Sequence, residues 1–344
     1  MANFQKILAS FDYQFPQELI AQTPAHPRDQ ARLLIYDRAT KRVEHEQFKN
    51  LWKYLTPKSV LVLNQTKVIP ARLMVSKPSG GKARLLYIKH NSKTISVLSD
   101  RKLEVDSDLS LGKLKFRVLK KSTQGYDLKP SFPISRIYSV LQQHGTAPLP
   151  PYIKHAQLTG QKLLKEYNTV FAKRLGSVAA PTASLHFTPA LLKKIQAQGV
   201  SIKYVTLHVN LGTFASLTEE QIKSGTLHSE WYEIKPSTAA FLNTAKQKNQ
   251  PIVAVGTTVV RTLESASNSK GKLTKLSGET NLFITERSKL KFVDELITNF
   301  HVPKTSLLML VSAFVGRQQL LALYKLAIKL KYRLFSFGDG MFIK

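Results

Sequence analysis

Residues 251–266 read PIVAVGTTVVRTLESA. Ile252 to Val255 form an unbroken, largely β-branched apolar run, which is how a strand buried on both faces reads. The turn Gly256-Thr257-Thr258 follows, and from about Val259 to Ala266 the apolar residues fall at helical spacing. Strand, turn and helix in that order make one unit of a layered α/β domain.

The same pattern extends in both directions. Thr188 and Pro189 form an N-cap and first-turn pair, Leu191, Leu192 and Ile195 supply an apolar stripe, and Gly199 stops that helix. A strand follows in VSIKYVTLHV (200–209), then a helix-like PSTAAFLNTAKQKNQ (236–250). The chain ends with an apolar helix near Leu320 to Leu330 and a strand-like YRLFSF (332–337).

One stretch breaks this pattern. From Met74 to about Thr146 the chain reads as short alternating runs, ARLLYIKH, TISVLSD and KLKFRVLKK, separated by SGG, DSD and STQG. PLPPYIKH (148–155) is a stiff return from it, because proline fixes its own φ and restricts the residue before it. The expected fold is therefore a layered α/β main domain, 1–72 with 148–344, interrupted by a small β-barrel at 73–147.

The 344 residues are 43% hydrophobic, enough for a sizeable core, and contain no cysteine, which excludes disulfides and thiolate chemistry. MANFQKILASFDYQF lacks a signal-peptide pattern, and no apolar stretch approaches the roughly 18 residues of a membrane span. The expectation is a cytoplasmic protein without a membrane partner. Lys and Arg number 51 against 22 Asp and Glu, a net charge of +29 that favours a polyanionic partner such as nucleic acid. A lysine-rich proteome gives the same surplus.

Polar clusters close the buried strand patterns. LVLN ends in Asn64 and runs into Gln65 and Thr66; VTLHV runs into Asn210 and Thr213; VAV runs into Thr257 and Thr258; ELIT runs into Asn299 and His301. In open α/β sheets ligands bind outside the carboxyl ends of strands, so these clusters are expected to share a crevice. Arg261, one turn beyond Thr258, suits a carboxylate or phosphate; the alternative is a surface salt bridge to Glu264. The run GSVAAPTAS (176–184), with Ser177 and Thr182, is nearly without bulk and leads into His186. It allows either close packing or close approach of a ligand. His186, His208, His228 and His301 suit acid/base work or simple hydrogen bonding, and no pair has metal-binding helical spacing. No metal is expected. P-loop, dinucleotide and nucleophile-elbow motifs are absent.

Taken together, FDYQFPQELIAQTPAHPRDQARLL (11–34), LNQTKVIPARL (63–73), YNTVFAKRLGSVAAPTASLHFT (167–188), VTLHVNLGTF (205–214), HSEWYEI (228–234), VGTTVVRTLE (255–264), GETNLFI (278–284) and YRLFSFGDGMFI (332–343) resemble the S-adenosylmethionine:tRNA ribosyltransferase-isomerases of queuosine biosynthesis. The blocks stand in the family's order. The resemblance implies an α/β domain interrupted by a small barrel. It also implies transfer of the ribosyl part of S-adenosylmethionine onto 7-aminomethyl-7-deazaguanine at the wobble position of tRNA. Adenine and methionine leave, and S-adenosylmethionine is a co-substrate, with no separate cofactor.

Such a reaction needs a base beside the sulfonium, a proton donor for adenine and a dry cradle. His208 and His186 are the candidates for proton transfer, with Glu230 orienting one of them or stabilising the sulfonium. Asn64, Arg72, Ser177, Thr182, Thr213, His228, Tyr232, Thr257, Thr258, Arg261, Asn299 and His301 are expected to bind substrate, and the chain to act as a monomer.

The sequence departs from the family pattern at Gln65 and Lys67, where Asp and Arg are usual, and at Ser184 and Asn210, where glycine is usual. Arg84 replaces an acidic residue, and Glu286 to Ser288 replace PGY. A divergent paralogue that binds tRNA or an adenosyl ligand without completing the reaction is the second reading, and an unrelated nucleic-acid-binding protein the third.

Overall fold

An unbroken apolar strand is stable only where both faces of its sheet are covered, and here they are. The computed structural model describes residues 2–122, 125–156, 158–210 and 217–344. The first strands are β1 (Arg32–Tyr36), β2 (Val43–Gln47), β3 (Val60–Asn64) and β4 (Thr66–Val68). Next come β5 (Arg72–Ser76), β6 (Lys82–His90), β7 (Ile95–Ser99), β8 (Asp108–Leu111), β9 (Leu114–Ser122) and β10 (Gly125–Pro130). The remainder are β11 (Arg174–Ser177), β12 (Ser201–Leu207), β13 (Thr226–Glu233), β14 (Ile252–Val255), β15 (Ser277–Leu282), β16 (Glu295–Asn299) and β17 (Gly340–Ile343).

Nine strands form one sheet in the order β15-β13-β12-β3-β14-β16-β17-β1-β2. Its centre, β12-β3-β14-β16, is parallel throughout, so these four strands end on the same edge. Successive side chains alternate between faces. Val60, Val62, Ile252, Ala254 and Leu296 enter one core, and Leu61, Leu63, Val253, Val255 and Ile297 enter the other. Each such burial contributes about 1.5–3 kcal/mol, opposed by the entropy of ordering the chain.

The interrupting segment closes on itself as a six-stranded barrel, β10-β7-β6-β5-β8-β9. Alternation is clean here, as a single packed face requires: in β5, Leu73 and Val75 are buried while Met74 and Ser76 are exposed. The helix Ile137–His144 plugs the barrel with Ile137, Val140 and Leu141. Arg72 ties entry to exit, exchanging main-chain hydrogen bonds with Thr146 and donating to the Leu149 carbonyl at 3.0 Å.

Several details differ from the sequence reading. The helix expected from Val259 begins at Thr257, because Gly256 takes φ 87 and turns the chain immediately after β14. YRLFSF is not a strand. Leu334 makes one bridge to Ile20, Phe335 sits at φ 69, and the pairing is made instead by β17. The final helix runs Arg317–Lys329 and is preceded by another, Ser306–Val315. No single helix among the described residues is long and apolar enough to cross a membrane; this last pair has the combined length but bends by 108°.

Candidate active site

Polar residues at the ends of the central strands frame a cavity of about 180 Å³. Thr182, Thr257, Thr258, Asn299 and His301 are among its polar lining residues, with Thr298, Thr305 and Ser336, and Val209, Phe300 and Phe335 are among its apolar walls. Thr257 and Thr258 stand in the first turn of Thr257–Ala266, where free N–H groups and the helix dipole favour electron-rich ligand groups. The Thr258 hydroxyl is buried without a hydrogen-bond partner among the described residues. A buried hydroxyl left unmatched costs about 1–3 kcal/mol, which a polar ligand atom recovers.

Asn299 is held from three sides. Its Oδ1 accepts from Thr182 Oγ1 at 2.8 Å, and its Nδ2 lies 3.2 Å from His186 Nε2 and 3.3 Å from the Asp339 carbonyl. His186 lies behind Asn299, outside the cavity wall, stacked on Phe48 with ring centroids 4.2 Å apart. Burial pushes its imidazole down to about 3, so it is neutral and accepts the Asn299 N–H. His301 does line the cavity, with Nε2 2.9 Å from Thr298 Oγ1, and burial pushes it down to about 3 as well.

A larger cleft of about 670 Å³ opens between the sheet edge and the barrel. His208 lies in its wall, its Nδ1 2.8 Å from Thr66 Oγ1 and its ring stacked on Trp231 at 5.1 Å. Burial, followed by the positive charge of Arg174, pushes this imidazole down to about 4, with Glu233 opposing. Gly176, the start of the low-bulk run, makes room for the ring: a Cβ there would stand 2.7 Å from His208 Nε2.

A narrow recess lies between the two spaces, sharing Leu307 with the cavity and His228 with the cleft. Its floor is a buried ion pair, Glu230 Oε2 with Arg261 Nη1. Glu230 Oε1 accepts the Asn210 N–H at 2.9 Å, while Arg261 donates to the Leu282 and Thr280 carbonyls. The alternative of an Arg261–Glu264 surface bridge is overturned, since Glu264 instead accepts main-chain N–H groups of Lys291, Phe292 and Val293.

Other expected residues line none of these spaces. Asn64 is spent on the main chain of Thr66 and Leu207, Ser177 on Ala179 and Val209, and Tyr232 on the Lys275 carbonyl. With Arg72 at the barrel junction, these four shape the strand ends rather than the walls. Thr213 lies outside the described residues. Neither Ser184 nor Asn210 has positive φ, so these positions do not demand the glycine usual in the family. Arg84 pairs with Asp100 on the exposed barrel surface.

Sequence reasoning passed over Trp231, Glu279 and Tyr152. The signal for Trp231 was present: in HSEWYEI the buried positions are Glu230 and Tyr232, so the residue between them faces outward. Among the described residues no three His, Asp or Glu side chains converge as a metal ion requires.

A parallel-centred α/β sheet with a closed barrel between its strands, and open spaces at the sheet's carboxyl edge and beside the barrel, defines an α/β protein with an inserted barrel. Residues 8–343 match the family model of the queuosine biosynthesis proteins, and the chain belongs to that family. It is 44% identical over 341 residues to the S-adenosylmethionine:tRNA ribosyltransferase-isomerase of Carboxydothermus hydrogenoformans, covering 98% of this chain and 99% of that one. The protein of the same name from Halothermothrix orenii is 44% identical over 340 residues, with 97% and 98% covered. A crystal structure of S-adenosylmethionine tRNA ribosyltransferase from Thermotoga maritima is 33% identical, with a TM-score of 0.57 over 97% of this chain and 100% of that one.

Proposed function

We propose that this chain is an S-adenosylmethionine:tRNA ribosyltransferase-isomerase. In this reading it moves the ribosyl group of S-adenosylmethionine onto 7-aminomethyl-7-deazaguanine at the tRNA wobble position, in the cytoplasm and as a monomer. The division into a 1–72/148–344 body and a 73–147 insert belongs to the same reading. The observation that carries it, beside family membership, is the pair of neighbouring spaces with a recess between them that shares Leu307 with one and His228 with the other. The smaller cavity suits the adenosyl group, and the wider cleft beside the barrel suits a nucleotide still attached to RNA.

Within this scheme the three candidate catalytic residues divide their labour. His208 faces the cleft and is neutral at pH 7, so it accepts a proton rather than donating one. The entering RNA phosphates raise its proton affinity. His186 acts through Asn299, fixing that amide against Thr182. Glu230 is balanced by Arg261 and so lends the recess shape and acceptors rather than net charge. The base withdraws a proton from the ribose carbon next to the sulfonium. Ring opening then expels adenine, which takes up a proton as it leaves; the deazaguanine amine bonds to the opened ribosyl chain and gives up a proton, and the freed oxygen displaces methionine to close an epoxide.

The test is incubation with S-adenosylmethionine and tRNA bearing the aminomethyl-deazaguanine, followed by nucleoside mass analysis. Epoxyqueuosine is expected, and its absence beside an active control enzyme overturns the reading. Undiminished adenine release from His186→Gln, His208→Gln and Glu230→Gln together would overturn the residue roles alone.

A further inference from the structure

The outward face of the β13–β15 ladder carries a constellation that the scheme above leaves unused. Trp231 and Glu279 are direct register partners, so their side chains stand side by side, opposite in direction to the buried Glu230 and Thr280. Trp231 is 38% exposed although its ring stacks on His208. Glu279 accepts a hydrogen bond from Ser229 Oγ at 2.5 Å, and no cation pairs with it among the described residues. Both line the cleft of about 670 Å³ whose far wall is the barrel's Tyr87, His90 and Tyr138.

Glu279 is the one carboxylate among the described lining residues of that cleft. In a chain of net charge +29, a carboxylate facing an RNA cleft works against binding unless it meets a hydrogen-bond donor. Of the purine edges, the guanine-type Watson–Crick edge presents two adjacent donors, N1–H and N2–H, which match the two oxygens of one carboxylate. An adenine edge opposes an acceptor nitrogen to it. A base laid against the exposed part of Trp231 brings its edge level with the neighbouring carboxylate, and base–aromatic stacking is itself tolerant of sequence.

We infer that Glu279 reads the guanine-type edge of the nucleotide that stacks on Trp231, making it the specificity-determining residue of the cleft. The inference rests on the proposal that tRNA is the substrate. It assigns stacking affinity to Trp231 and base choice to Glu279.

The experiment measures binding of unmodified hairpin RNAs carrying guanosine, inosine or adenosine at the wobble position, to the wild type and to Glu279→Gln. Inosine lacks the N2 donor. The wild type is expected to prefer guanosine over inosine about tenfold, the worth of one charge-assisted hydrogen bond. Glu279→Gln is expected to level that preference while binding the adenosine hairpin at least as tightly, having lost a negative charge. Its exposed strand position leaves folding intact, checked by an unchanged unfolding midpoint.

A guanosine preference retained in Glu279→Gln overturns the inference, as does a wild type that shows none. The unmodified hairpins carry no aminomethyl group, so a Glu279 effect confined to modified RNA also overturns it. Adenine release by the wild type with full-length tRNA is measured in parallel. Its absence sinks the enzymatic reading while a levelled preference keeps this one.

Discussion

Gly176 and His208 occupy each other's space: a Cβ at position 176 would lie 2.7 Å from Nε2 and 2.9 Å from Cδ2 of the imidazole. Gly176 also holds φ 144, outside the range that side-chain-bearing residues favour. Backbone and ring are thus fitted together, with Thr66 fixing the other side of the ring through Nδ1 at 2.8 Å.

Gly176→Ala must therefore displace His208 or the strand. The expected cost in stability is about 1–3 kcal/mol from the strained backbone. The expected loss in adenine release is larger, about a hundredfold, because a catalytic group moved by an ångström loses that much. Single-turnover adenine release alongside urea unfolding separates the two effects. A fully active Gly176→Ala would show that the imagined clash is relieved without cost, and that His208 is not held for chemistry.

The Glu230–Arg261 pair makes a different kind of demand. Both side chains are buried, at 3% and 8% exposure, and each has further hydrogen bonds to the main chain. Removing one partner leaves the other as an uncompensated buried charge, so Glu230→Gln or Arg261→Met is expected to cost about 3–5 kcal/mol. The double variant should cost less than the sum, because the stranded charge is gone. Denaturant unfolding of all four proteins measures the coupling. Strict additivity would mean that the two side chains do not sense one another.

How far these features could be read without a structure depends on whether they are local. Strands β3 and β14 were legible because burial on both faces leaves unbroken apolar runs, and the shared polar edge followed from parallel topology. The barrel was legible from alternation and turn residues. The Trp231–Glu279 pair was not, since it exists only through antiparallel register between segments 48 residues apart. His186 read as an acid/base candidate because it follows a run with little bulk; Phe48, contributed by a distant segment, stacks on it and helps bury it. YRLFSF imitates a strand by its aromatic and apolar composition, and Phe335 at φ 69 breaks the extended backbone in its middle.

The buried histidines also set the pH dependence of stability. Mainly through burial, His186 and His301 are pushed down to about 3 and His208 to about 4, against 6.5 for each in the unfolded chain. Between pH 6.5 and about 4 the unfolded chain therefore binds protons that the folded protein refuses. Stability rises with pH where the unfolded state holds more protons, so it falls as the solution is acidified through this window. Each ring contributes at most about 1.4 kcal/mol per pH unit. Glu295 works the other way: burial raises its carboxyl from 4.5 to about 7, so the folded state takes up a proton as pH falls through 7. Asp339 is raised by burial too and acts in the same sense at lower pH. With three rings against these carboxyls, the unfolding midpoint should decline from pH 7 to pH 5, more steeply in Glu295→Gln, where the main opposing group is gone, and less steeply in His301→Gln. Thermal unfolding across that range checks all three slopes. A midpoint that stays level in Glu295→Gln would mean that the buried rings are protonated in the folded protein after all.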